Sequence, residues 1–142
     1  MFNLLQEIDV FENTWALVVE DDAHDLFAVT RLLQELHIQY KRNTTGKDVA
    51  QKAREMQPRP HVILLDMDLP DADTFDICGA IHSDDVLANI PVVAVGGPHW
   101  NGDEASLKDC GFAGFIRKPL PRKHLAHLLQ DILDGKSLWS EG

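Results

Sequence analysis

Residues with chemical capacity stand directly after short apolar runs of this chain. Glu20-Asp21-Asp22 follows residues 15–19, Asp66-Met67-Asp68 follows 62–65, Gly96-Gly97 follows 91–95, and Lys118-Pro119 follows 114–117. If those runs are strands of one parallel sheet, all four groups fall outside its carboxyl edge, where open α/β sheets bind their ligands. Carboxylates crowded there must take up protons or hold a cation, because like charges repel strongly in a partly dry cleft. Donors that are all oxygen select a hard divalent ion. Mg2+ fits best, since it accepts one or two carboxylates, keeps waters and works beside phosphoryl groups. Asp66 ends the most apolar run and is the candidate nucleophile, while the Lys118 ammonium would neutralise a phosphoryl oxygen or an anionic transition state. Taken singly, each feature has an ordinary reading: an acidic triplet caps a helix, a lone Asp ends in a turn, and a lone lysine is a surface charge. Their joint placement points to a site.

The elements that must position these residues show as an alternation. β-type runs at 15–19, 38–42, 62–65, 91–95 and 114–117 are separated by segments of helical length. Residues 23–36 put Leu26, Val29, Leu33 and Leu36 on one stripe, with Asp22 as N-cap. Residues 47–56 do the same with Val49, Ala53 and Met56, and 75–82 with Phe75, Cys78 and Ile81. The segment 103–110 starts at an Asn-Gly turn and stops at Gly111, a C-terminal glycine, and 122–133 repeats Leu125, Leu128, Leu129 and Ile132. Strand and helix alternate five times, and three runs are apolar throughout instead of alternating. This predicts an α/β fold, a five-stranded parallel sheet with helices on both faces. Residues 1–14 and 134–142 lie outside the alternation. Leu4, Ile8 and Phe11 have helical spacing, which suits either a short docking helix or a frayed extension.

Composition narrows the function. The 142 residues hold 13 Lys and Arg against 23 Asp and Glu, a formal charge of −10 with His neutral, so neither nucleic acid nor an anionic membrane is an expected partner. Apolar residues at 44% and charged residues at 25% are ordinary for one globular core and exclude disorder or a disulfide scaffold. Cys78 and Cys110 belong to no CxxC or zinc spacing and are expected to be inert thiols in a reducing compartment. The seven histidines form no HExxH motif and are expected to be solvated or packed. No apolar run approaches the roughly 18 residues that span a bilayer, and no basic residue precedes Arg31, so a cytoplasmic location is expected.

Four segments, in this order and spacing, resemble the receiver domain of two-component response regulators. They are Val-Val-Glu-Asp-Asp at 18–22, Leu-Leu-Asp-Met-Asp-Leu-Pro at 64–70, Ile-Pro-Val-Val-Ala-Val at 90–95 and Gly-Phe-Ile-Arg-Lys-Pro-Leu at 114–120. The resemblance implies a flavodoxin-like receiver over residues 15–133, with 1–14 as an N-terminal extension and 134–142 as a tail. It implies a non-enzymatic, single-domain module that accepts a phosphoryl group from a histidine kinase or a histidine phosphotransfer protein and signals to a downstream protein target. A homodimer is left open. Position by position, it implies Asp66 as phosphoacceptor and Lys118 as its phosphoryl partner. Glu20, Asp21, Asp66 and the main-chain carbonyl of Met67 would hold Mg2+. Pro119 would be reached through a cis bond, and Phe115 would be the aromatic switch.

One position departs from the resemblance. The family has Thr or Ser directly after the fourth strand, and this chain has Gly96. Loss of that hydroxyl is expected to weaken the conformational response to phosphorylation, and Gly96→Thr to restore it. The Asp71-Ala72-Asp73-Thr74 stretch also lacks the glycine common after the phosphoacceptor. Phe115, Arg117, Arg122 and Lys123 mark the expected partner surface, on the fourth helix, fifth strand and fifth helix. Two other readings compete: a pseudo-receiver that binds partners without phosphorylation, and a haloacid-dehalogenase-like phosphatase using Asp66 and Asp68 as a DxD pair.

Overall fold

The structure is a computed structural model that describes residues 10–120, 122–136 and 139. The expectations for Leu4 and Ile8, and for the side chains of Arg122 and Lys123, lie outside the described part. Five strands, β1 (Trp15–Val19), β2 (Gln39–Asn43), β3 (Val62–Asp66), β4 (Val92–Gly96) and β5 (Gly114–Arg117), form one parallel sheet in the order β2-β1-β3-β4-β5. The intervening helices are α1 (Ala23–Glu35), α2 (Val49–Glu55), α3 (Thr74–His82), α4 (Glu104–Cys110) and α5 (Arg122–Leu133). This is the flavodoxin-like architecture.

Why the central strands read as unbroken apolar runs is visible in how they divide their side chains. Ala16, Val18, Val62, Leu64, Val93 and Val95 pack with Val29 and Leu33 of α1 and Leu125, Leu129 and Ile132 of α5. Their neighbours Leu17, Val19, Ile63, Leu65, Val92 and Ala94 pack with α2, α3 and α4 through Ala53, Cys78, Ile81 and Leu107. Each strand therefore buries both faces, and the period of two is hidden. Phe11, ahead of β1, is buried in the α1/α5 layer.

The caps match local chemistry. Asp22 accepts from the Asp25 N–H at 2.9 Å, Asp73 from Phe75 and Asp76, and Asp103 from Ala105, so three acidic residues begin three helices. α4 stops at Gly111, whose φ of 100° is left-handed, as expected of a C-terminal glycine. α2 is shorter than the expected 47–56. Asp48 sits at φ 55°, outside the helical region, and the Asn43 side chain holds the preceding loop by accepting from the Gly46 N–H and donating to the Lys47 carbonyl. Edge strand β2 is polar, with Gln39, Lys41 and Arg42 exposed.

Candidate functional site

The sheet order reverses between β1 and β3, and the carboxyl ends of those strands with β4 and β5 make one cleft lined by Glu20, Asp21, Asp66, Asp68, Gly97 and Lys118. Asp66 is the last residue of β3 and only 2% exposed. Glu20, one residue past β1, is 4% exposed, and Asp21 beside it is open to solvent. Asp22 is committed to capping α1 and stands outside the carboxylate cluster.

Lys118 is the hub. Its Nζ lies 2.8 Å from Glu20 Oε1, 2.9 Å from Asp25 Oδ2 and 3.1 Å from Asp66 Oδ1. Asp25 was not foreseen: it reads as a first-turn helix residue, and only the fold brings the first turn of α1 to the ammonium that follows β5. The signal available was its position three residues after the N-cap, on the turn nearest the strand ends. The Lys118-Pro119 bond is cis.

The electrostatics follow from crowding. Glu20, Asp21 and Asp66 each place a carboxylate oxygen within 4.8 Å of the others. Burial, then the neighbouring Asp66 carboxylate, push the Glu20 carboxyl up to about 7 against the opposing pull of Lys118. Burial alone would lower the Lys118 ammonium, but its bonds to Glu20 and Asp25 and the charge of Asp66 outweigh this and hold it above its usual range. One ammonium among this many carboxylates leaves an excess of negative charge, and the donors that carry it are all oxygen. The residues present therefore fit a hard divalent cation.

The Gly96 position has a steric explanation. A Cβ there would lie 2.8 Å from Phe115 Cε1 and 3.1 Å from Trp100 Cε3, so the two rings occupy the space of the missing side chain. Those rings pack at 5.1 Å between centroids, and the Arg117 guanidinium lies 5.0 Å from the Phe115 centroid. A Cβ on Gly102 would fall within the Trp100 ring, so that glycine is also set by close approach. The loop after β4 is tied down from both sides. The Gly97 N–H donates to Asp68 Oδ2 at 2.7 Å, and Arg117 Nη1 donates to the Gly97 and Trp100 carbonyls at 2.7 and 2.8 Å. Arg117, expected on a partner surface, thus also holds this loop.

The family profile of the response regulator receiver domain matches residues 16–130. Over 104 residues the chain is 30% identical to the polar-differentiation response regulator DivK of Brucella anthropi, covering 73% of this chain and 83% of that protein. Chemotaxis response regulator CheY4 of Vibrio cholerae superposes with a TM-score of 0.73 at 21% identity, over 84% of this chain and 98% of that one. The receiver domain of sensor histidine kinase PA1611 from Pseudomonas aeruginosa, solved with a magnesium ion coordinated in its active-site cleft, gives 0.75 at 22% identity over 85% of this chain and 98% of that one. Those two structures show the fold, and the sequence matches show the kinship: the chain belongs to the response regulator receiver domain family of two-component signalling.

Proposed function

We propose that Asp66 is the phosphoacceptor, loaded from a phosphohistidine of a histidine kinase or a histidine phosphotransfer protein. The observation that carries this is the contact of Lys118 Nζ with Asp66 Oδ1 at 3.1 Å, inside a cluster of three carboxylates. An Asp66 oxygen would attack phosphorus while the P–N bond breaks and the imidazole leaves. Lys118 would then pair with the transferred phosphoryl group in place of part of its carboxylate shell. Glu20, Asp21 and Asp66, with the Met67 carbonyl, would hold Mg2+, which supplies positive charge to the phosphoryl oxygens when bound. The output would be a protein contact on the α4–β5 side, where Phe115 and Arg117 sit, with a downstream protein as target. The net charge of −10 argues against nucleic acid or a membrane in that role. Among the described residues no helix is long and apolar enough to cross a membrane.

Intact mass after incubation with acetyl phosphate and Mg2+ tests the assignment. Wild type should gain one phosphoryl group and Asp66→Asn none. A wild-type mass that stays unchanged would favour the pseudo-receiver, whose one structural argument is the filled space at Gly96. The dehalogenase-like alternative calls for DxD on the first strand, a hydroxyl after a later strand and acidic metal ligands downstream, whereas Asp66 ends the third strand, Gly96 stands at the hydroxyl position and Glu20-Asp21 lie upstream.

A further inference from the structure

Two thiols that the phosphoryl site does not use meet on the other face of the sheet. Cys78, in the middle of α3, is fully buried, and Cys110, the last residue of α4, is half-buried. They are 32 residues apart in sequence, yet Cys78 Sγ donates to the Cys110 carbonyl at 3.7 Å. Reciprocally, Cys110 Sγ donates to the Phe75 carbonyl of α3 at 3.4 Å. Each thiol therefore reaches across to a carbonyl of the other helix, and both are free. His82, one helical turn after Cys78, places Nδ1 3.5 Å from Cys78 Sγ. Gly111 leaves room for this ring, since a Cβ there would lie 2.7 Å from Nδ1. Phe75 and Phe112 pack edge to face at 5.8 Å beside the pair. Burial accounts for one small apolar residue in each helix. It does not account for two thiols that each bond across to the other helix, with an imidazole against the inner one.

We propose that Cys78 and Cys110 are a peroxide-responsive dithiol that closes to a disulfide between α3 and α4. The roles follow from position. Burial and the neighbouring thiol push the Cys78 thiol up, so it stays protonated and the first step falls to the more accessible Cys110. The Cys110 sulfur attacks one oxygen of hydrogen peroxide, the O–O bond breaks, and water leaves once the departing hydroxide is protonated, giving a sulfenic acid. Cys78 then attacks that sulfur. Its proton passes to His82 Nδ1 and from there through solvent to the departing hydroxide, so that the sulfenic hydroxyl leaves as a second water and His82 is returned to its starting state. Two thiols and one peroxide become one disulfide and two waters. In reduction, an external thiol attacks at Cys110, the less buried of the two residues. The bond would fix the C-terminus of α4, which leads through Gly111 and Phe112 into β5, against α3. The assignment of Asp66 plays no part in this chemistry.

The test treats the full chain with hydrogen peroxide, blocks remaining thiols with N-ethylmaleimide under denaturing conditions and measures intact mass. Wild type should lose two hydrogens, about 2 Da, take up no maleimide, and recover two reactive thiols after dithiothreitol. Non-reducing peptide mapping should link the Cys78 and Cys110 peptides within one chain. In Cys78→Ala, dimedone should trap a sulfenic acid on Cys110. In His82→Gln, closure should slow, so dimedone should trap more of the Cys110 sulfenic acid than in wild type. Wild-type protein that keeps two free thiols, stops at sulfenic or sulfinic acid, or links only between chains overturns the proposal. The peptide map needs no variant, so a misfolded Cys78→Ala leaves the test intact.

Discussion

The Gly97 N–H is bonded to Asp68 Oδ2 at 2.7 Å, and the Asp68 N–H is in turn bonded to Asp66 Oδ1 at 3.1 Å. Through Asp68, these two bonds connect Asp66, the proposed phosphoacceptor, to the loop after β4 without any side chain at position 96. The path continues from the Gly97 carbonyl to Arg117 and from Arg117 to the Phe115 ring. A phosphoryl group on Asp66 would set negative charge against the Asp68 carboxylate and strain this tether. In Asp68→Ala, amide exchange over residues 97–102 should rise about tenfold before phosphorylation, the loss of one bond to a charged acceptor, and change little on phosphorylation. The Asp66 mass gain should persist. An unchanged exchange rate in the variant would remove the tether as a route.

At Gly96 the structure revises the expectation that Gly96→Thr strengthens coupling. The added Cβ must displace Phe115 or Trp100, so the first effect should be a loss of about 1–3 kcal/mol in chemical denaturation, the ordinary cost of overpacking. Gly96→Ala should lose a similar amount, since the conflict is with Cβ and not with the hydroxyl. Phe115→Leu should relieve part of the loss in a double-mutant cycle. Additive single and double variants would show that the ring does not govern the site.

Protonation of Glu20 gives a pH dependence with a definite sign. Its folded pKa of about 7 lies above the ordinary 4.5. The metal-free protein therefore has this group's full contribution to stability below about pH 4.5 and loses it as pH rises through about 7. Mg2+ must displace that proton, so affinity should climb about tenfold between pH 6 and pH 8, with proton release detectable by calorimetry in buffers of different ionisation enthalpy. Glu20→Gln should flatten the profile while weakening binding. A flat wild-type profile would refute the coupling.

The three ion pairs of Lys118 are unequal. Asp25 is 44% exposed at its side chain, so Asp25→Asn should cost less than about 1 kcal/mol. Lys118→Met leaves Glu20 and Asp66 buried without their cation and should cost about 3–5 kcal/mol in the absence of Mg2+. Added Mg2+ should recover part of that loss. Thermal denaturation with and without Mg2+ reads both values, and equal losses in the two variants would contradict the ranking by burial.

The architecture was legible because parallel strands buried on both faces leave unbroken apolar runs, and because a residue just past such a run is fixed at the sheet's carboxyl edge. Glu20, Asp66 and Lys118 were found by that rule alone. What sequence could not carry was contact across distance. Asp25 reaches Lys118 over 93 residues, the Phe115 ring fills the space at Gly96 from the neighbouring strand, and Cys78 meets Cys110 over 32. Gly96 illustrates the limit: its type suggested a missing hydroxyl, and only the packed rings show why a larger residue does not fit. The start of α2 was missed for a local reason, the left-handed Asp48, which aspartate tolerates without announcing it.

The charged edge at β2 has a consequence for how the protein behaves when crowded. The segments with the composition of aggregating peptides, Val62–Leu65 and Val92–Val95, are interior strands whose backbone groups are already paired on both sides. A neighbouring molecule meets instead Lys41 and Arg42 on one flank of the sheet and the four-residue β5 with its outward Arg117 on the other. Both flanks resist addition of a further strand. Strand addition to the native sheet is therefore discouraged at both edges, and the apolar segments are uncovered only in molecules that have lost β5, which frees β4, or both β2 and β1, which frees β3.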